Sequence, residues 1–587
     1  MVSSKKSNIR KADILQLLLS LAAVLLVTFI GSLLFFKLDL TEEKRHSLTD
    51  ATEQMLESLE DQVFVKVYLH GDFPANFKRL EQAVRERLDE FRDLSDDQVE
   101  YEFIDIYESG DKTTIAQNEK KLFDQGLRFT RISYEENGVK KFQMIWPAAL
   151  LTYQGTTYPI QFFKSENPDP TDAMLNTSIN NLEYELASKM NIAMREEVPR
   201  IAFLEGHGEL EPIEVADLSE TIAEDYIVER VKLDGKLNAL SDKLDNMRYR
   251  INKFDLLIVA KPDSVFSNQD KVILDQFVMN GGKVLWMIDP ILTDLDSLSV
   301  NQQTIGVTNE VGLYDMLFDY GVRLNRNLVV DYSSAPIVFD AGPMGNQRNV
   351  QVFSWYFAPI VLATDSAHPI AANLDPIHFD YVSSLDTVGE STSIKKSVLL
   401  ASSPYSRNFN APVRINSSIV NFDLEYFKKN NKPNQALAVL LEGRFKSNFQ
   451  DRLSDTIRKN PDFAFRAESA PTKMIVIGDG DIARNKVMPV QGGYTPMPLG
   501  YDRYAGRVVY DNKEFLLNAI NYLLDDNALI SVRSRTIELR KLNAAKIKEQ
   551  KGMWQVINVA VPLVLLVIFG WILSTVRRKH YAINQGE

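Results

Sequence analysis

The sequence predicts an α/β protein in which two transmembrane helices flank one large extracytoplasmic region. Three observations carry this prediction. Two uncharged apolar runs, residues 14–36 and 554–576, each match the ~20 residues a helix needs to cross a hydrocarbon core. Between them, short strand-like apolar runs alternate with amphipathic helical ones. The formal net charge of −13 is also unevenly spread: Lys5, Lys6, Arg10 and Lys11 against Asp13 in one tail, and Arg577, Arg578 and Lys579 against Glu587 in the other, leave −18 between the two runs.

The first apolar run exceeds the length of a signal-peptide core and no A-x-A site follows it, so it reads as an uncleaved anchor behind a cytoplasmic tail of residues 1–13. In the second, Trp554 and Trp571 suit the two membrane interfaces, with Arg577, Arg578 and Lys579 as the cytoplasmic anchor in residues 577–587. Membrane lipid is therefore a partner, and both termini lie on one side.

Residues 40–165 form the first predicted domain. Ser47 reads as a helix N-cap ahead of Met55, Leu56 and Leu59. A strand over 63–69, an amphipathic helix over 77–94 and a strand over 99–106 make a β-α-β unit. Alternating runs at 128–135, 141–145, 149–153 and 158–163 read as two hairpins, the whole resembling a thioredoxin-like sandwich without a dithiol. Residues 166–198 read as a linker and a helix. From 199 to 334, strands at 201–204, 254–260, 284–288 and 328–331 alternate with helices at 213–225, 268–279 and 316–319, which predicts a doubly wound parallel sheet. Residues 335–471 read as an insertion or elaboration. Residues 472–530 bring a last strand and helix, and 531–553 a charged connecting helix.

Composition excludes several chemistries. Zero Cys removes disulfides, thiolate catalysis and Cys-based metal sites, and a pI of 5.2 argues against nucleic acid as a partner. The six His show no metal-ligand spacing, so neither metal nor cofactor is expected. There is no G-x-S-x-G elbow and no P-loop. The candidate ligand loops are Glu205, Gly206, His207 and Gly208 in EGHGE at one strand end and Asp479 and Asp481 in GDGD at another, where open α/β sheets hold ligands. Each also reads as a tight turn, with the carboxylates as caps. The Gly- and aromatic-rich stretch 492–506 suits either a binding loop or, in preference, a plain surface loop.

Three blocks, FKLDLTEEKRHSLTDATEQMLESLEDQVFVKVYL, RIAFLEGHGELE and FDLLIVAKPD…NQDKVILDQFVMNGGKVLWMIDP, followed by GDGDIARN, DNKEFLLNAINYLL and a final apolar helix, resemble the GldG-type auxiliary subunits of ABC transport systems. The resemblance covers nearly the whole chain. It implies a multispan permease (GldF-like) and a cytoplasmic ATPase (GldA-like) as partners, with gliding motility and associated secretion as the setting. It also implies a bacterial inner-membrane location with the large region in the periplasm, free to bind another protein or cargo. The sheet domain resembles glutamine-amidotransferase-like and ciliary-transport modules, but the amidotransferase Cys is missing and no catalytic residue carries over. The expectation is a non-enzymatic subunit; the alternative is a membrane-anchored hydrolase or carbohydrate-active enzyme using the two loops.

Overall fold

The computed structural model describes residues 18–23, 25–26, 28–29, 48–136, 139–164, 170–243, 249–293, 303–344, 347–362, 368–389, 393–525, 529, 532 and 544–583. The protein is a mixed α/β chain, and its C-terminal residues 537–587 form a unit of their own. Most of the first apolar run, and Ser47 with it, lies outside the described residues; 18–23, 25–26 and 28–29 are helical.

The first helix, α1 (Asp50–Glu57), is capped by Thr49, whose hydroxyl accepts from the Thr52 amide. The cap is tied to a distant helix. Glu183 Oε1 accepts from Thr49 N at 2.8 Å and from the Thr49 and Thr52 hydroxyls at 2.9 Å each. Strand β1 (Val63–Val67) pairs in parallel with β2 (Val99–Phe103) through the crossover helix α2 (Ala75–Leu94). Helix α3 (Lys112–Asp124) then leads to the ribbon of β3 (Thr130–Glu136) and β4 (Val139–Ile145), which among the described residues form a two-stranded sheet of their own. β5 (Ala148–Tyr153) pairs antiparallel with β1, and β6 (Thr156–Gln161) with β5, completing a sheet of order β2-β1-β5-β6. Phe77, Leu80, Val84, Leu88 and Phe91 of α2 share one core with Leu175, Leu182, Leu186 and Met190 of α4 (Asp172–Ala193). The four- and three-residue spacings put each set on one helix face, and that burial is what holds the layer to the sheet.

Among the described residues the central sheet has nine strands. Five are parallel: β7 (Arg200–Glu205), β8 (Ile227–Lys232), β9 (Leu256–Ala260), β10 (Lys283–Met287) and β15 (Thr472–Ile477). Their spatial order is β8-β7-β9-β10-β15. Beyond β15 the sheet continues antiparallel through β14 (Ala436–Gly443), β12 (Leu385–Thr387) and β11 (Val322–Leu324), with β13 (Ile394–Ala401) also on β14. Alternation along β9 splits its side chains between two cores: Leu256, Ile258 and Ala260 on one face, Leu257 and Val259 on the other. Helices cover both faces. Leu218 and Ile222 of α5 (Ala216–Ile222) and Phe515, Leu516, Ala519, Ile520 and Leu523 of α8 (Asn512–Leu524) fill the first. Ile273, Leu274, Phe277 and Val278 of α6 (Asn268–Met279) and Met316, Leu317 and Tyr320 of α7 (Tyr314–Tyr320) fill the second.

Three sequence expectations change. The sheet is wound on both faces but mixed, because β14 enters beside β15 in the opposite sense. The strand expected at 328–331 leaves the sheet: Asn327–Asp331 pairs antiparallel with Ser406–Asn410, and its buried Leu328 and Val330 pack with Trp355 and Phe427 in a separate core. A wholly buried strand announces burial, not which sheet it joins. The helix expected at 213–225 begins as a 3₁₀ turn at Pro212–Val215 before α5.

In the C-terminal unit, Ala544–Ile583 is one helix, of which Gln550–Val576 is long and apolar enough to cross a membrane. Trp554 and Trp571 are exposed on it. Arg577, Arg578 and Lys579 continue the helix, and their side chains lie outside the described residues.

Candidate ligand crevice and the carboxylate cluster beside it

The parallel block has the order 2-1-3-4-5, so its topological switch falls between β7 and β9. Sheets of this order hold ligands in the crevice outside the strand ends at that point. Here the loops themselves close it. Leu210 N donates to Ala260 O at 3.0 Å, and Asp263 N and Ser264 N both donate to His207 O at 3.0 Å. The imidazole of His207 stacks on Phe266 with centroids 3.7 Å apart and planes within 8°. Its Nε2 lies 3.4 Å from Asp270 Oδ2 and its Nδ1 3.3 Å from Glu209 Oε1. Glu209 also accepts from the His207 amide at 2.6 Å.

Each loop residue has a structural task. Glu205 pairs with Arg230, whose guanidinium also donates to Leu210 O at 2.8 Å. Gly206 and Gly208 take φ of 111° and 75°, and a Cβ on Gly208 would sit 1.7 Å from Asp263 Oδ1. Burial disfavours the imidazolium, yet the bonds and charges of Glu209 and Asp270 outweigh it and raise the His207 pKa. For Asp270, burial is likewise overcome: Ser267, the Gly235 amide and His207 hold its carboxyl below the usual value. Asp270 is the third residue of the Ser267-capped α6, so the sequence signal was the capping pattern S-x-x-D. Phe266 had no such signal.

The second loop stands apart from the first. The carboxylates that meet the His207 ring are those of Glu209 and Asp270, and Asp479 and Asp481 have partners of their own. Asp479 accepts from the Asp481 amide at 2.7 Å and the Asp380 amide at 2.8 Å. Asp481 pairs with Lys261 and, at 2.7 Å, with Arg484; Lys261 lies 3.2 Å from Asp289 Oδ2. Gly480 N donates to Asp289. Gly478 is obligatory, since a Cβ there would meet Ser383 O at 2.2 Å. Burial, reinforced by Asp481, pushes Asp289 up to about 6. Asp479, fully buried beside Asp289, Asp481 and Asp380, is raised well above the carboxylate range. Burial opposes the Lys261 ammonium, but Asp289 and Asp481 keep its pKa raised. Lys261 directly follows β9 and Asp289 stands two residues beyond the end of β10; in the sequence they read only as strand stops. Among the described residues no group of three or more His, Asp or Glu is arranged to hold a metal ion. Stretch 492–506 includes an exposed ribbon strand at Gly493–Pro496, with Tyr494 at its surface.

The family model described as an ABC-type uncharacterized transport system, auxiliary component, matches residues 198–519, more than half of the chain. The chain belongs to that family. A second model, a domain of unknown function, matches residues 42–152. An uncharacterized protein of Borreliella burgdorferi is 22% identical over 577 residues, covering 97% of this chain and 99% of that relative. The solved "mmIFT52 N-terminal domain" is 13% identical, spans 55% of this chain and 97% of its own, and superposes with a TM-score of 0.30. Membership in the ABC transport auxiliary family makes this an accessory component of a transport system, and its apolar C-terminal helix points to membrane association.

Proposed function

We propose that the chain is a non-enzymatic, GldG-type accessory subunit anchored by two membrane helices, its acidic ectodomain on the periplasmic side of a bacterial inner membrane. Its partners in this reading are a multispan permease and a cytoplasmic ATPase, and the transport it supports is gliding motility and associated secretion. The observation that carries the non-enzymatic part is the crevice at the switch point. It is filled by the His207–Phe266 stack and pinned by Asp270, leaving the sheet as scaffold. The hydrolase alternative would draw on Asp479, whose oxygens already accept from two backbone amides in a fully buried position.

The test is purification of the full chain from its native membrane in mild detergent. Co-elution of a multispan permease and an ATPase supports the reading; recovery of the chain alone counts against it. Deletion that leaves gliding intact removes the motility assignment while sparing the accessory one.

A further inference from the structure

The β3–β4 ribbon packs one face inward. Thr130, Ile132 and Ile145 are buried, and Ile132 and Ile145 join the core of the N-terminal sheet. A two-stranded ribbon packed on one face is expected to present a polar outer face. This one mixes polar and charged positions with exposed aromatic rings. Register sets Arg131 opposite Met144, Ser133 opposite Phe142 and Glu135 opposite Lys140 on the outer side, and Phe129 follows the same alternation. Phe129 is 45% and Phe142 54% exposed. The guanidinium of Arg131 sits 4.6 Å above the Phe142 ring, and Phe129 leans on Trp146 with centroids 5.8 Å apart.

Aromatic rings beside an arginine form the side-chain mixture that partitions to the bilayer interface, rings at headgroup depth and guanidinium on phosphate. Chain length brings the bilayer within range. Only eleven residues separate Phe36, the end of the first apolar run, from Leu48 at the head of the N-terminal domain; fully extended they span about 40 Å. We propose that the outer face of the β3–β4 ribbon rests on the lipid headgroup layer of the membrane that anchors the chain. The proposal rests on the two-span reading above.

Because the chain has no Cys, single-cysteine labelling tests it without background. Ser133→Cys reports on the ribbon and Met553→Cys on the C-terminal span. The full chain is placed in discs of phosphatidylcholine and phosphatidylglycerol with headgroup-depth nitroxide lipid, and label fluorescence is read. The expected result is quenching by about half or more at both positions. Quenching at 133 should fall when phosphatidylglycerol is omitted, and should be lost in the Phe129→Ser/Phe142→Ser background, which spares the inner face. Quenching at 553 alone overturns the ribbon proposal and leaves the anchor standing. Absence at both positions overturns the two together. Shielding at 133 that requires co-expressed permease, with no lipid quenching, assigns the face to a protein and also overturns the proposal.

Discussion

Replacing His207 with Ala separates a scaffold from an active site. In the structure the ring fills the switch-point crevice, so its removal deletes a stacked aromatic contact of about 1 kcal/mol and a long hydrogen bond to Asp270 worth somewhat less. Adding the void left against Phe266, the expected loss is about 2–4 kcal/mol. If the central sheet and its helices unfold as one unit, that lowers Tm by roughly 3–6 °C. The sign with pH follows from the raised His207 pKa. The imidazolium contribution is fully present below the unfolded-state value and is lost as pH rises through the higher folded value. The gap between wild type and His207→Ala should therefore be wider near pH 5.5 than near pH 8. The assay is thermal unfolding of the full chain in mild detergent at both pH values, alongside complementation of a deletion strain below the variant's Tm. An unchanged Tm together with lost complementation would falsify the scaffold argument and move His207 into chemistry.

Other contacts carry their own tests. Asp289, raised to about 6 by burial and by Asp481, contributes stability at low pH that is lost as pH climbs through that value; Asp289→Asn should flatten the stability curve between about pH 4 and 7. Glu183→Ala strips Thr49 and Thr52 of their shared acceptor, at a cost of about 2–4 kcal/mol, and amide exchange should accelerate in Asp50–Glu57 while Glu183→Gln retains most protection. Gly208→Ala should destabilise by about 1–3 kcal/mol through both its positive φ and the Asp263 clash. Adding Asp263→Ala should recover only the part due to the clash, so full recovery in the double variant refutes the strain component.

Much of the architecture is legible in the sequence because local signals and burial agree. The helix expected at 268–279 is α6, and the spacing of Leu80, Val84, Leu88 and Phe91 gives the buried face of α2. What is not legible depends on pairing across long separations. The ALAVLL run of β14 is as apolar as β9, yet nothing local says that it enters beside β15 and turns a parallel sheet mixed. The site divides in the same way. His207 and the GDGD loop stand out by residue type, but Phe266, Asp270, Lys261 and Asp289, which decide what those loops do, look like ordinary cap and turn residues. Two loops at strand ends do not meet merely because they share a sheet edge; β9 and β10 stand between theirs.

The position of β15 also sets an order of events during biogenesis. Its parallel partner β10 is made far earlier in the chain, Trp286 pairing with Val476. Until β15 and the following helix α8 have left the ribosome, β10 carries an unpaired edge, and Leu285 and Met287 lack the cover of Phe515 and Leu516. Long-range parallel pairing of this kind is slow and leaves sticky surface waiting. Because residues 550–576 follow almost at once, the sheet closes only as the apolar C-terminal helix emerges. A chain truncated shortly before β15 would keep most of its sequence yet present an open, aggregation-prone half-sheet to its compartment.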